Sequence, residues 1–258
     1  MPRTKKERIP EKFFGIDITD GVIPKDWKDK EQEYLDLNNK KECIGINPNC
    51  MRINTMTLVT YIDNCNIDLE KLMEYLNNVA PNSASFPKKR SSKKVESKVA
   101  GRQFYNSVSW KIAVKDTINR EQKIFKLSAM FFPNGRIKFA GCKSIKSCAL
   151  IPSIVLKFLL DNTEDVISKE SVIRSSGIEM INSDYHVFNK DTKNLVEQTN
   201  LKQIIYETYL FKNSGQIKSA DYDPDKYPAV NIKFRPLGNV EADRDITICV
   251  FNSGSVII

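Results

Sequence analysis

The sequence predicts an α+β protein built from two related halves, each an antiparallel sheet carrying helices on one face. Three observations lead there. First, Phe131-Phe132-Pro133-Asn134-Gly135-Arg136-Ile137-Lys138-Phe139 returns near the C-terminus as Val250-Phe251-Asn252-Ser253-Gly254-Ser255-Val256-Ile257-Ile258. In both stretches an apolar run meets a turn with glycine where a tight hairpin needs φ above zero, and an alternating strand follows. Second, Tyr227-Pro228-Ala229-Val230-Asn231-Ile232-Lys233 repeats Tyr105-Asn106-Ser107-Val108-Ser109-Trp110-Lys111, with Tyr, Val and Lys at equal offsets. Third, each half opens on a strand-like segment followed by a helical apolar stripe, so the order of elements is kept as well as the motifs.

Composition limits what such a protein does. Forty Lys and Arg against 32 Asp and Glu leave a net charge of +8, which favours an anionic partner such as nucleic acid. The six cysteines form no C-x-x-C pair and His186 is the only histidine, so the spacing offers no zinc site and reduced thiols are expected. Scarce histidine removes most catalytic triads, and neither a Gly-rich phosphate loop nor a convincing carboxylate pair is present. The reading is therefore a protein without enzymatic activity or cofactor. A charged N-terminus and the lack of any apolar run of membrane length point to an intracellular protein.

Along the chain, residues 1–50 are rich in Lys, Glu, Asp, Asn and Pro and are expected to form a mobile arm. Residues 51–162 make the first repeat. It opens on a strand from Met51 to Ile62, rich in β-branched residues. Asn66 or Asp68 caps a helix whose Leu69, Leu72, Met73, Leu76 and Val79 follow helical spacing until Pro81 stops it. Residues 82–103 form an insertion containing the basic run Pro87-Lys88-Lys89-Arg90-Ser91-Ser92-Lys93-Lys94. A strand from Tyr105 to Val114, a polar loop at 115–122 and a third strand from Ile124 lead to the hairpin. Period-2 alternation after Gly135 sends Ile137 and Phe139 to one face and Arg136, Lys138 and Ala140 to the other. Ser144 then caps a helix with Ile145, Cys148, Val155 and Leu159 on one stripe, and the interior Pro152 predicts a bend near 148–152.

A linker at 163–171 precedes the second repeat, 172–258. There Ile181-Asn182-Ser183 matches Ile53-Asn54-Thr55 as a strand opening, and Leu201, Ile204 and Ile205 supply the helical stripe. The second copy has no counterpart to the helix at 144–161, so a truncated second repeat is expected.

Taken together, these motifs resemble the TATA-binding protein family. Phe132-Pro133-Asn134-Gly135-Arg136 with Gly141-Cys142-Lys143 looks like the family's Phe-x-x-Gly-Lys followed by Gly-Ala-Lys. Asp223-Pro224-Asp225-Lys226-Tyr227-Pro228 looks like its Glu-Pro-Glu-Leu-Phe-Pro stirrup. The resemblance covers about 51–258 and implies a pseudo-twofold saddle, a curved antiparallel sheet with helices on its convex face. The basic insertion, the long arm and the diverged strands look most like versions carried by large nucleocytoplasmic DNA viruses. The implied location is the host nucleus or a viral factory, or the virion.

The resemblance implies roles residue by residue. Paired aromatics that wedge between base steps and kink the duplex fall on Tyr105 with Phe132 and on Tyr227 with Phe251; Phe104 replaces Tyr105 if the register slips by one. Minor-groove positions fall on Ile53, Thr55, Ile181, Ser183, Met130, Lys138, Ala140 and Ile257. The places of the family's central Asn pair hold Met51 and Glu179, which weakens strict TATA preference, unless a one-residue shift turns Asn54 and Asn182 to the groove. Phosphate contacts fall on Lys111, Arg136, Lys143 and Lys233, and contact with a B-type general transcription factor on Asp223 and Asp225. The implied function is a transcription initiation factor that binds and kinks promoter DNA alongside the RNA polymerase machinery. The alternative is a protein-interaction or virion scaffold that has lost DNA bending.

Overall fold

The computed structural model describes residues 12–32, 51–86, 106–118, 121–163, 165–186, 200, 204, 216–235 and 245–258. They divide into two compact units. The first takes in the described residues up to Gln32 together with Thr55–Met180, and the second takes in 51–54 with Ile181–Ile258.

In the first unit the strands are β1 (Phe14–Asp17), β2 (Met51–Asp63, from Thr55 onward), β3 (Ala84–Ser85), β4 (Val108–Ile118), β5 (Glu121–Phe131) and β6 (Arg136–Cys142). Its helices are α1 (25–32), α2 (Leu69–Val79) and α3 (Ile145–Asn162). The strands lie in the order β1-β4-β5-β6-β2, with β3 also on β4. Residues 172–180 of β7 (Val172–His186) belong to this unit, where Ser176 Oγ meets Thr60 Oγ at 2.9 Å. Apolar alternation is the reason the sheet has a buried side. Trp110, Ala129, Phe139 and Leu58 form a straight row across β4, β5, β6 and β2, and each is fully buried. From α2, Leu69, Leu72 and Leu76 join this core, and from α3, Cys148, Ile151, Val155 and Leu159. Asp68 caps α2 by accepting from the N–H groups of Glu70 and Lys71, while Val79 turns out to solvent. Ser144 and Ser147 cap α3 reciprocally, and the helix runs on through a buried Pro152.

Two expectations change here. The arm carries structure: β1 pairs in parallel with β4, against an expected all-antiparallel sheet, and Trp27 of α1 is buried. Phe14 packs on Trp110 and Phe158 at 4.7 and 4.6 Å between ring centroids. The cause is a vacant lane, because β3 covers only Ser109 and Trp110 and leaves the edge of β4 to β1 from Ile112 to Lys115. Nor is 115–122 a loop, since β4 continues to Ile118 and β5 starts at Glu121. Its polar residues are satisfied from far away in sequence. Buried Asp116 accepts from Thr117 N–H and Ser144 Oγ and lies 3.4 Å from Lys146 Nζ. Lys115 Nζ donates to Asp17 at 2.8 Å and, with the Thr19 amide, holds that carboxyl well below the usual range.

In the second unit, residues 181–186 of β7 are followed by β8 (Ile217–Asp221), β9 (Ala229–Phe234), β10 (Ile246–Phe251) and β11 (Ser255–Ile257). The spatial order is β7-β11-β10-β9-β8, antiparallel throughout. Ala220, Val230, Ile232, Val250 and Val256 form its core. Of the expected helical stripe, Leu201 and Ile205 lie outside the described residues, and Ile204 is helical and packs on that core. Ile181-Asn182-Ser183 does not open a strand, since β7 begins at Val172. The four described cysteines, Cys65, Cys142, Cys148 and Cys249, are free thiols, and no described helix is long and apolar enough to cross a membrane.

Candidate nucleic-acid interface

Residues directly opposed across an antiparallel pair share a face of the sheet. On the first unit's face opposite the helices, Ser109, Met130, Lys138 and Val59 form one row, and Lys111, Ser128, Ala140 and Thr57 the next. Arg136 stands opposite Tyr61 on the same face. Strand pairing thus brings Met130, Lys138, Ala140, Lys111 and Arg136 together, and Thr55 joins them by alternation from Thr57. Lys111 is exposed and the others are half-buried. Lys143 is half-buried just past β6. The side chain of Ile53 lies outside the described residues, as do Tyr105 and Phe104.

The second unit repeats the pattern with one correction. Ile257 stands between Cys249 and Asp184, Phe251 opposes Ala229, and exposed Lys233 opposes Thr247, all on the face away from the core. Val230, Val250 and Val256 make the other row. Ser183 exchanges both backbone hydrogen bonds with Ile258 at 2.9 Å, which puts it on the Val256 side, where it is buried. Ile181 shares that side by alternation. Neither residue therefore reaches the face that carries Ile257, whereas Asn182 does. The fault lay in register. The hairpins align Gly135 with Gly254, Arg136 opposes Tyr61, and Ser255 opposes His186. Asn182 therefore corresponds to Thr57 and Ser183 to Leu58. The match of Ile53 to Ile181 is displaced by an odd number of residues, and an odd slip reverses every side chain.

The hairpins themselves are equivalent in detail. Gly135 and Gly254 both have φ of 75°. Their N–H groups donate to the carbonyls of Phe132 and Phe251 at 3.2 and 3.0 Å. In the second unit the ring of Tyr227, 45% exposed, meets Phe251 edge-on, with centroids 5.8 Å apart and planes at 65°. The Asp223 carbonyl fixes that approach by accepting from the N–H groups of Lys226 and Tyr227. Asp223 also pairs with Lys226 Nζ at 2.7 Å, and Asp225 is exposed.

In the first unit Phe132 is half-buried, and the Arg136 guanidinium lies 5.8 Å from both its ring and that of Tyr61. Arg136 Nη2 is 3.6 Å from Glu179 Oε2. Beyond Tyr61, Arg174 stands 5.4 Å from the ring and 3.4 Å from Asp63. Sequence reading placed Glu179 where the family has one of its central Asn residues and missed Tyr61 and Arg174. Tyr61 was within reach, because the alternation Thr57, Val59, Tyr61 puts it on the Arg136 face.

Strand order, register and the two matched hairpins define an α+β fold with a related strand-turn-strand unit in each half. Among solved structures the chain is similar to Methanococcus jannaschii TBP, with 16% identity, 80% of this chain and 85% of that one covered, and a TM-score of 0.44. No family model matches the sequence, and no curated protein matches it.

Proposed function

We propose that this chain is a transcription initiation factor that binds double-stranded DNA in the minor groove through the faces opposite its helices and kinks it. The observation that carries this reading is the segregation of side chains. Lys111, Met130, Lys138 and Ala140 stand in register on one face while Trp110, Phe139 and Leu58 are buried on the other. A set of small, apolar and cationic groups suits the minor groove, whose rims carry phosphates. Phe132 and the Tyr227–Phe251 pair stand at the hairpin ends as apolar wedges for base steps, a mode of which the TATA-binding protein family is itself the standard example. Asn182 takes a central groove place instead of Ile181 and Ser183. Asp223 and Asp225, at the turn before Tyr227, receive the B-type general transcription factor.

The test is a duplex carrying a donor and an acceptor dye at its ends, titrated with protein at several salt concentrations. Binding should bring the dyes together and weaken steeply with salt, and Phe251→Ala should lose bending more than affinity. A duplex that is bound but stays straight removes the kinking role, and one that is not bound at all removes the DNA reading. Charge reversal at Asp223 and Asp225 should abolish binding of a B-type factor to the protein–DNA complex while the complex itself persists.

A further inference from the structure

Arg136 occupies a family position that the resemblance assigns to phosphate contact, yet its surroundings suit a different task. Its guanidinium lies near two rings, 5.8 Å from the centroid of Phe132 and 5.8 Å from that of Tyr61. Its Nη2 faces the Glu179 carboxylate at 3.6 Å, and its Nε is buried without a hydrogen-bond partner. Arg174 repeats the combination, 5.4 Å from the Tyr61 ring and 3.4 Å from the Asp63 carboxylate. Each of the two cations thus has both a ring and a carboxylate nearby. A cation so placed has its charge answered already, and moving it to a phosphate would break the ion pair and uncover both rings. By contrast Lys111, on the same face, is exposed.

We propose that Arg136 is a positioning residue, held by Glu179 and Tyr61, that fixes the ring of Phe132 for insertion rather than contacting phosphate. This rests on the DNA-binding reading for its purpose but not for its geometry. Glu179 then stabilises the interface instead of repelling the duplex, since its charge is spent on Arg136. Lysine would not replace Arg136, because an ammonium lacks the planar group that lies against a ring.

Two measurements on the full chain test this separately. In the free protein, the ring resonances of Phe132 should move toward their unstructured values in both Glu179→Gln and Arg136→Lys, and unchanged resonances would overturn the brace whether or not DNA binds. With the dye-labelled duplex, both variants should keep the salt slope of the unmutated protein while the bent fraction of bound duplex falls about threefold to tenfold, the size expected for losing one ring contact and one half-exposed ion pair. A loss of about one unit of salt slope in Arg136→Ala, matching Lys111→Ala, would make Arg136 a phosphate contact and end the proposal. If the unmutated protein binds no duplex, the positioning role falls together with the DNA reading, and the ring resonances still decide whether the brace exists.

Discussion

At the scale of single residues, Gly135 shows how much a sequence states outright. A turn between two alternating strands with glycine in a fixed place calls for positive φ, and the angle is 75°. A Cβ there would lie 2.6 Å from the Ile62 carbonyl oxygen and 3.0 Å from Cys65 Cβ. Gly135→Ala should therefore cost at least about 1–2 kcal/mol from the left-handed backbone alone, with the backbone clash added, and thermal unfolding should show the lowered midpoint. Lys111 is legible in the same way, as the outward member of an alternating strand. Lys111→Ala should weaken binding to all duplex sequences alike and flatten the salt dependence by about one unit, as a titration over several salt concentrations would read. Arg136 was legible only in part. Its face follows from alternation, as does that of Tyr61, but Glu179 comes from a distant strand and no local pattern announces its approach.

Among elements, strands that alternate cleanly were readable and those held by remote partners were not. β6 shows its faces in Ile137 and Phe139. The end of β4 looks like a loop because Lys115, Asp116 and Thr117 are polar, yet they pair with Ile124, Lys123 and Gln122 of β5 while Asp17, Ser144 and Lys146 answer the polar groups of Lys115 and Asp116. The register of β7 was missed for a related reason: Ile-Asn-Ser resembles Ile-Asn-Thr locally, while pairing with β11 decides the face. β1 offers a test of this dependence on partners. It is held by main-chain pairing, by Ile18 N–H on the Lys115 carbonyl at 2.9 Å, and by the Asp17–Lys115 contact. The Asp17 carboxyl is depressed in the folded chain by Lys115 and Thr19. Its contribution is thus complete above the ordinary carboxylate range near pH 4 and is lost as pH falls below it. Amide exchange at Ile16 and Ile18 should accelerate on acidification relative to β5, and Asp17→Asn should show the faster exchange already at neutral pH. Equal protection of the variant and the parent would show that main-chain pairing alone holds the strand.

For the molecule as a whole, duplication of the hairpin does not bring duplication of the core. In the first unit Trp110, Phe131 and Phe139 are fully buried beneath α2 and α3, and the Trp110 indole N–H donates to Ser83 Oγ at 3.1 Å. Among the described residues the core of the second unit is built of Ala220, Val230, Ile232, Val250 and Val256, without a buried aromatic ring. Large rings bury the most area per residue, so among the described residues the first core gains more from the hydrophobic effect than the second although their strand patterns match. Opening free energies should differ accordingly. We expect backbone amides in the paired parts of β9, β10 and β11 to exchange measurably faster than those of β4, β5 and β6 under the same conditions, by about tenfold or more if the gap exceeds about 1.4 kcal/mol. Trp110→Phe, which leaves the Ser83 hydroxyl without its indole partner and shrinks the buried ring, should accelerate exchange in β4–β6 with little effect on β9–β11. Uniform exchange across both sets in the parent protein would mean that they open as one cooperative body, and the inequality of the two cores would then have no separate thermodynamic expression.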